Sequence, residues 1–230
     1  MKELIFNIGD VFNRETSSGC LSQYEADCYH IPAYQRGYKW GTGAGGAVTT
    51  LLQDLLSAYK NEEKEYYLQY ITVKRQIIEI DGDKSHCLEV IDGQQRLTTL
   101  SILLSVLAAM DDERCNIADG KLHYAIRSNL FVDKIYPAEI VLGFAEMDWD
   151  ELVENEPGKN SQDVFYLHGA VSECFQFISN DFESLSGFFD YITTSVKPAF
   201  FKVVVASTIL LTCHPHPCSL SLRVKHDLAD

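Results

Sequence analysis

Apolar residues recur at helical spacing in several parts of the chain. Across residues 48–59 they fall at i, i+3, i+4, i+7, i+8 and i+11, which is the spacing of one buried helix face. Residues 97–110 are apolar on most faces, a pattern typical of a helix enclosed by the core. Helices are also predicted over residues 164–178 and 182–192.

Segments rich in β-branched and aromatic residues predict strands before the enclosed helix. They cover residues 66–74, 76–80 and 86–91, and Asp81-Gly82 is the turn signal of a hairpin. A further strand is predicted over residues 200–205. Strands and helices together predict an α+β fold.

A solvated loop is predicted over residues 154–162, because this polar segment contains Pro157-Gly158.

Composition and charge narrow the class of protein. Of the 230 residues, 46% are hydrophobic, which excludes a disordered chain. The net charge of −14 excludes a protein that coats nucleic acid over its whole surface, so any DNA contact must be a local patch.

The uneven distribution of charge predicts three segments. Residues 1–110 carry 10 basic and 14 acidic groups, residues 111–206 carry 7 and 17, and residues 207–230 carry 2 and 2. We predict an α/β (α+β) domain over residues 1–110, in which a small mixed sheet holds the enclosed helix. A mainly helical region over 111–206 and an atypical tail over 207–230 would follow.

The chain has seven cysteines, an odd number, and their spacing shows no pattern typical of disulfide pairs. The N-terminus does not resemble a secretory signal. Reduced thiols and a cytoplasmic location are therefore expected. The longest apolar run, residues 97–110, is too short to cross a bilayer, so no membrane partner is expected.

The sharpest candidate for chemistry is the segment DGQQRLTT, which begins at Asp92 where a predicted strand meets the enclosed helix. Unpaired N–H groups at a helix N-terminus attract phosphate, and the guanidinium of Arg96 can bind two phosphate oxygens at once. Asp92 could coordinate Mg²⁺ or polarise a water, and Gly93 would let the backbone approach. In the purely structural alternative, Asp92 caps the helix, Gly93 permits a tight turn and Arg96 pairs with a neighbour.

The other polar side chains of this segment also have two interpretations. Gln94 and Gln95 could hold a water or the edge of a base. Thr98 and Thr99 could donate their hydroxyls to phosphate or simply fill the first helical turn.

A second candidate is the loop YQRGYKW at residues 34–40, in which aromatic and basic residues alternate. Such a loop can stack on bases while its cations pair with phosphates. Alternatively, Tyr34, Tyr38 and Trp40 are core anchors beside snorkelling cations.

The segment IPAYQRGYKW at residues 31–40, taken with VIDGQQRLTTL at residues 90–100, resembles the GmrSD-type restriction family, which contains domain of unknown function 262. The segment IGDVF at residues 8–12, the predicted helix with its Asp54, and YYL at residues 66–68 are similar to the same family. The resemblance implies a ParB/sulfiredoxin-like N-terminal fold followed by helices, in bacterial systems that defend against phage or foreign DNA.

The resemblance also implies site residues. It associates residues 92–96 with the binding and hydrolysis of a nucleoside triphosphate, and residues 34–36 with nucleotide handling or the sensing of modified DNA. The predicted catalytic residues are Asp92, which would also bind Mg²⁺, Gln94, Gln95 and Arg96. The predicted nucleotide-binding residues are Tyr34, Gln35, Arg36, Gly93, Arg96, Thr98 and Thr99, and the predicted contacts to DNA or to a base are Arg36, Tyr38, Lys39 and Trp40.

The chain departs from the family pattern in three places. Gln69 stands where the family usually has Gly, so a close backbone approach is expected to be altered there. The Leu-Asn-x-x-Gly segment and the His-Asn-His (HNH) type nuclease domain of long members are absent. Together with the unusual tail, this suggests a truncated or frameshifted product.

Three functions are consistent with these observations. The first is a nucleotide-hydrolysing subunit of a modification-dependent restriction system, with a separate HNH-type nuclease as partner. The second is a non-catalytic module that senses nucleotide or modified DNA and switches that partner. The third is a non-functional remnant.

Overall fold

A computed structural model describes residues 4–80, 82–111, 113–126, 128–181 and 185–202. The strands are β1 (Cys28–Ile31), β2 (Tyr66–Ile80), β3 (Asp83–Asp92), β4 (Leu122–Tyr124) and β5 (Val196–Lys202). The helices are α1 (Ile8–Val11), α2 (Cys20–Gln23), α3 (Ala47–Lys60), α4 (Gln94–Met110), α5 (Ser128–Leu130), α6 (Ala138–Glu146), α7 (Trp149–Asn155), α8 (Gln162–Asp181) and α9 (Leu185–Ser195), with a π-helical turn at Phe131–Ile135 and a 3-10 turn at Pro157–Lys159.

The strands form one mixed sheet in the order β4-β1-β3-β2-β5. β1 runs parallel to β3 and β4, β2 runs parallel to β5, and β2 and β3 form an antiparallel hairpin. The carboxyl ends of β4, β1 and β3 therefore lie at one edge of the sheet, where α4 begins directly after β3. The predicted α+β class is confirmed.

Helix α4 is enclosed by the molecule, as its apolar pattern predicted. Of its 17 residues, 14 are buried, and the helix packs against α6, α8 and α9. Some of its hydroxyls form hydrogen bonds within the helix, such as that from Ser105 Oγ to the carbonyl of Ser101. The helix begins at Gln94, earlier than the apolar run, because the left-handed Gly93 starts it.

The other long elements agree with the sequence pattern, with shifted ends. Helices α3 and α8 confirm the helices predicted over residues 48–59 and 164–178. The two strands predicted over residues 66–74 and 76–80 form one strand, because the pairing of β2 with β3 continues through Arg75 and Leu88. β5 begins four residues before its predicted start and includes Pro198, whose missing N–H is tolerated at the sheet edge. The predicted positions 182–184 and 203–205 lie outside the described residues.

The sheet draws strands from both sides of residue 110. Its two outer strands, β4 and β5, belong to residues 111–206, whereas the three central strands precede residue 110. The division into domains stays a prediction, and the tail over 207–230 lies outside the described residues. The predicted loop over 154–162 contains the end of α7 and a 3-10 turn, and none of its residues is buried.

A polar row crosses the sheet through β3, β1 and β4. In register, His30 neighbours both Glu89 and His123, and the Nδ1 atoms of the two histidines are 3.1 Å apart. Burial lowers the pKa of His30, His123 lowers it further, and Glu89 opposes the shift. The hydroxyl of Tyr34 donates to Glu89 Oε1 at 2.8 Å, which ties the row to the loop that follows β1.

Among the described helices, none combines the length and the apolar character that a membrane span requires.

Candidate functional site

The two sequence motifs meet in one cleft at the carboxyl edge of the parallel strands. One follows β1 as a loop, and the other joins the end of β3 to α4. Ligand sites of open α/β sheets commonly lie at this edge. The cleft has a volume of about 340 Å³ and is lined by Gln35, Arg36, Trp40, Asp92, Gly93, Gln94, Gln95 and Arg96.

Gly93 makes the turn from strand to helix possible. Its φ is +89°, and an added Cβ would lie 3.2 Å from both the Cα of Ile71 and the carbonyl oxygen of Tyr70. No side chain among the described residues caps α4; Asp92 Oδ1 accepts instead from the N–H of Gly93 at 2.8 Å. The first-turn N–H groups therefore lack a side-chain acceptor, and the positive end of the helix dipole faces the cleft.

The two glutamines hold the loop against α4. Gln95 Oε1 accepts from the N–H of Lys39 at 2.7 Å, and Gln95 Nε2 donates to the carbonyl of Gly37 at 3.2 Å. Gln94 Nε2 donates to the carbonyl of Arg36 at 2.9 Å. Gln94 Oε1 is buried without a hydrogen-bond partner in the described part of the chain, so it remains an unused acceptor beside the cleft.

Three predicted ligand contacts are corrected by their burial. The Tyr38 ring is 0% exposed, and its hydroxyl lies 2.7 Å from Thr99 Oγ1. Thr98 is equally buried and hydrogen bonds to the hydroxyl of Tyr124. All three side chains lie in the core, where the hydroxyl of Tyr38 meets that of Thr99 and the hydroxyl of Thr98 meets that of Tyr124, so their polar atoms are used there rather than exposed to a ligand.

The remaining loop residues stay at the surface. Arg36 and Lys39 are exposed, and neither forms an ion pair within the described residues. Trp40 is partly buried against the core, and the amide of Gln35 donates to the carbonyl of Ile91 at 2.9 Å. Arg36 lines the cleft together with Arg96, and Lys39 lines the neighbouring pocket together with Arg36. Cations on this side of an acidic chain favour an anionic ligand.

Arg96 is held by an irregular part of β2. The pairing of β2 with β5 shifts register between Leu68 and Ile71, and the intervening residues bind the guanidinium. Nη1 donates to the carbonyl of Tyr70 at 3.0 Å, and Nη2 donates to Gln69 Oε1. Both partners are neutral, so Arg96 keeps its positive charge uncompensated by an ion pair among the described residues.

The pKa of Arg96 is lowered by burial, while Asp92 and Tyr70 oppose that shift. An arginine nevertheless stays protonated at neutral pH. In the sequence, Gln69 stands out only as a departure from the family pattern. The contact of Gln69 with Arg96 depends on the irregular pairing of β2, and that irregularity has no local signal in the sequence.

The position of Asp92 is compatible with a magnesium ion that is held mainly by the phosphates of a bound substrate. Its carboxylate is exposed at the mouth of the cleft, and one oxygen is engaged by Gly93. No group of three or more His, Cys, Asp or Glu residues that could hold a metal occurs in the described ranges. Mg²⁺ is commonly held by one or two carboxylates together with substrate phosphates, so a single aspartate suffices.

Comparison with known proteins supports the resemblance. No curated protein matches the chain. Residues 8–207 match the family model described as GmrSD restriction endonuclease, N-terminal domain. This match contains the loop after β1, the turn into α4 and all five strands. The chain therefore belongs to the family of GmrSD restriction endonuclease N-terminal domains.

Proposed function

We propose that the chain binds a nucleoside triphosphate with Mg²⁺ in the cleft at the N-terminus of α4 and hydrolyses it as part of a restriction system. The observation that carries the proposal is the joint lining of the cleft by both motifs, with Arg36, Arg96 and the uncapped N-terminus of α4. Triphosphates carry several negative charges, and neither arginine forms a salt bridge among the described residues.

The phosphate groups would lie against the first-turn N–H groups of α4. Arg96 uses one N–H of each terminal nitrogen on β2, so the other N–H groups of its guanidinium are left for phosphate. Arg36 would approach from the opposite side of the cleft. Gly93 allows α4 to begin this close to β2, so the first-turn N–H groups face the cleft.

Hydrolysis would depend on Asp92. Its carboxylate is the group that would hold Mg²⁺, which when bound neutralises phosphate charge. The side-chain amides of Gln94 and Gln95 form hydrogen bonds with the loop backbone. Gln94 Oε1, which has no partner among the described residues, would therefore be the atom that positions the water. The buried glutamines instead keep Arg36 in place.

A second function is a nucleotide-dependent switch without turnover. The observation that favours it is the structural use of both glutamines, which leaves few free groups for activating a water. Under either function, the family name supports a role in restriction, with a separate HNH-type nuclease and modified DNA as proposed partners.

The decisive experiment is the melting temperature of the chain with Mg²⁺ and each of GTP, ATP, CTP and UTP, followed by phosphate release. A ligand that binds only the native state at 100 times its Kd adds about 2.7 kcal/mol to the free energy of unfolding. We expect the shift to fall in Arg36→Ala and Arg96→Ala and to persist in Arg75→Ala, which removes an exposed cation paired with Glu25.

The readouts separate the proposed functions. A nucleotide-induced shift with phosphate release supports hydrolysis, and a shift without release supports the switch. Cooperative unfolding without any shift would contradict nucleotide binding. Broad, uncooperative melting would instead favour the remnant.

A further inference from the structure

Two large aromatic rings are exposed side by side next to the part of β2 that binds Arg96. Tyr70 and Phe201 are each 51% exposed, and their ring centroids are 5.7 Å apart in an edge-to-face arrangement. Their chain neighbours Ile71 and Phe200 pair in register and are fully buried. Because side chains alternate along a strand, the two rings stand on the face opposite to that core.

Tyr70 also contacts Arg96, which lines the cleft. Its carbonyl accepts from Arg96, and the same oxygen would lie 3.2 Å from a Cβ at Gly93. Its side chain is close enough to the guanidinium to affect the Arg96 pKa. The exposed aromatic pair therefore adjoins Arg96, which belongs to the proposed phosphate site.

We propose that Tyr70 and Phe201 form the stacking platform for the base of the bound nucleotide. This inference rests on the proposed function, because it places the phosphates of the same ligand beside Arg96. Every nucleobase has an aromatic face, and stacking on aromatic side chains tolerates all bases. The platform therefore predicts a site that binds purine and pyrimidine triphosphates with similar affinity.

The test compares nucleoside triphosphates with inorganic tripolyphosphate, each with Mg²⁺, by calorimetric titration of the full chain. Tyr70→Ala and Phe201→Ala remove the rings, and Tyr70→Ala keeps the backbone carbonyl that holds Arg96. Tyr67→Ala is the matched control, since Tyr67 is another exposed aromatic of β2 whose hydroxyl donates to Glu65.

We expect Tyr70→Ala and Phe201→Ala to weaken nucleotide binding about tenfold and to leave tripolyphosphate binding unchanged. Tyr70→Phe should bind as the unaltered chain does, and Tyr67→Ala should change neither affinity. Quenching of tyrosine fluorescence by a nucleotide, but not by tripolyphosphate, would support the stacked geometry.

Other outcomes overturn the inference in distinguishable ways. Equal loss of nucleotide and tripolyphosphate affinity would mean that the rings only support Arg96. Unchanged nucleotide affinity, with a dimer that dissociates in Tyr70→Ala, would assign the pair to contact between copies of the chain. Failure of tripolyphosphate to bind the unaltered chain would overturn the proposed phosphate site and the inference with it.

Discussion

At the scale of single residues, Gly93 satisfies two requirements that can be measured apart. Its left-handed backbone disfavours a side chain, and the contact with β2 leaves no space for one. Gly93→Ala should therefore cost more than Gly82→Ala, since Gly82 has a φ of +91° but open space around it.

We expect about 1–2 kcal/mol of lost stability for Gly82→Ala from backbone strain. Gly93→Ala should lose roughly a further 1–3 kcal/mol from overpacking against Ile71 and Tyr70. Urea denaturation at pH 7.5 measures both losses. Equal losses would show that the close approach to β2 adds no cost.

The buried histidines make stability depend on pH. Burial lowers the pKa values of His30 and His168 from 6.5, so both prefer to be neutral in the folded chain. Near pH 6 the unfolded chain binds more protons, and the free energy of unfolding falls as the pH decreases through 6.5 toward the folded pKa values.

The midpoint of urea denaturation should therefore be lower at pH 5.5 than at pH 7.5. His30→Gln and His168→Gln should each flatten part of that decrease, because each variant removes one titrating ring. Lys134 lowers the pKa of Glu156, so the contribution of this carboxylate to the free energy of unfolding is lost only at pH values below those at which the histidines titrate. A midpoint that is equal at both pH values would contradict the prediction.

The residue types of the site were predictable from the sequence, but the roles of several were not. The prediction placed Gln95 at a water or a base, whereas its amide holds two backbone groups of the loop. A glutamine has the same appearance in the sequence in either role. Only the position of the loop, which follows β1, decides between them.

At the scale of elements, the loop over residues 34–40 owes its position to α4 more than to its own conformation. Gln95→Ala would remove both hydrogen bonds to Gly37 and Lys39 and leave the N–H of Lys39 without its acceptor. We expect a loss of about 1–3 kcal/mol in stability and faster amide hydrogen exchange in this loop.

Hydrogen exchange followed by mass spectrometry of peptides from residues 34–40 provides the measurement. Gln53→Ala is the matched control, because Gln53 is an exposed glutamine of a different helix, α3. Unchanged exchange in Gln95→Ala would mean that the loop keeps its position without the hydrogen bonds of Gln95.

Long elements were predictable because each carries its own pattern, whereas short strands depend on their neighbours. Helix α4 contains the apolar run of residues 97–110, a pattern typical of a helix enclosed by the core. Strands β1 and β4 have four and three residues, and each becomes a strand by pairing with segments distant in the sequence. Such pairing leaves no local periodicity to detect.

At the scale of the whole molecule, the sheet and the helices should unfold together. β4 and β5 flank strands that precede residue 110, and α4 packs against α6 and α8. We therefore expect a single calorimetric transition whose calorimetric and van't Hoff enthalpies agree.

Phe200→Ala tests that cooperativity from the edge of the sheet. Phe200 is fully buried, and its ring contacts those of Phe6 and Tyr29. The variant should lose about 3–5 kcal/mol and shift the whole transition to lower temperature. Two separate transitions, only one of them shifted, would instead support independent domains on either side of residue 110.

The pairing of β2 with β5 also determines how long the outer edge of β2 stays unpaired during synthesis. Tyr66 pairs with Val196, so β2 leaves the ribosome long before its partner exists. Synthesis proceeds at about 5–20 residues per second, so the backbone groups at the outer edge of β2 stay unpaired for on the order of ten seconds. This edge lies next to the stretch that later binds Arg96. A ribosome that stalls in this interval would expose the outer edge of β2 to pairing with other nascent chains.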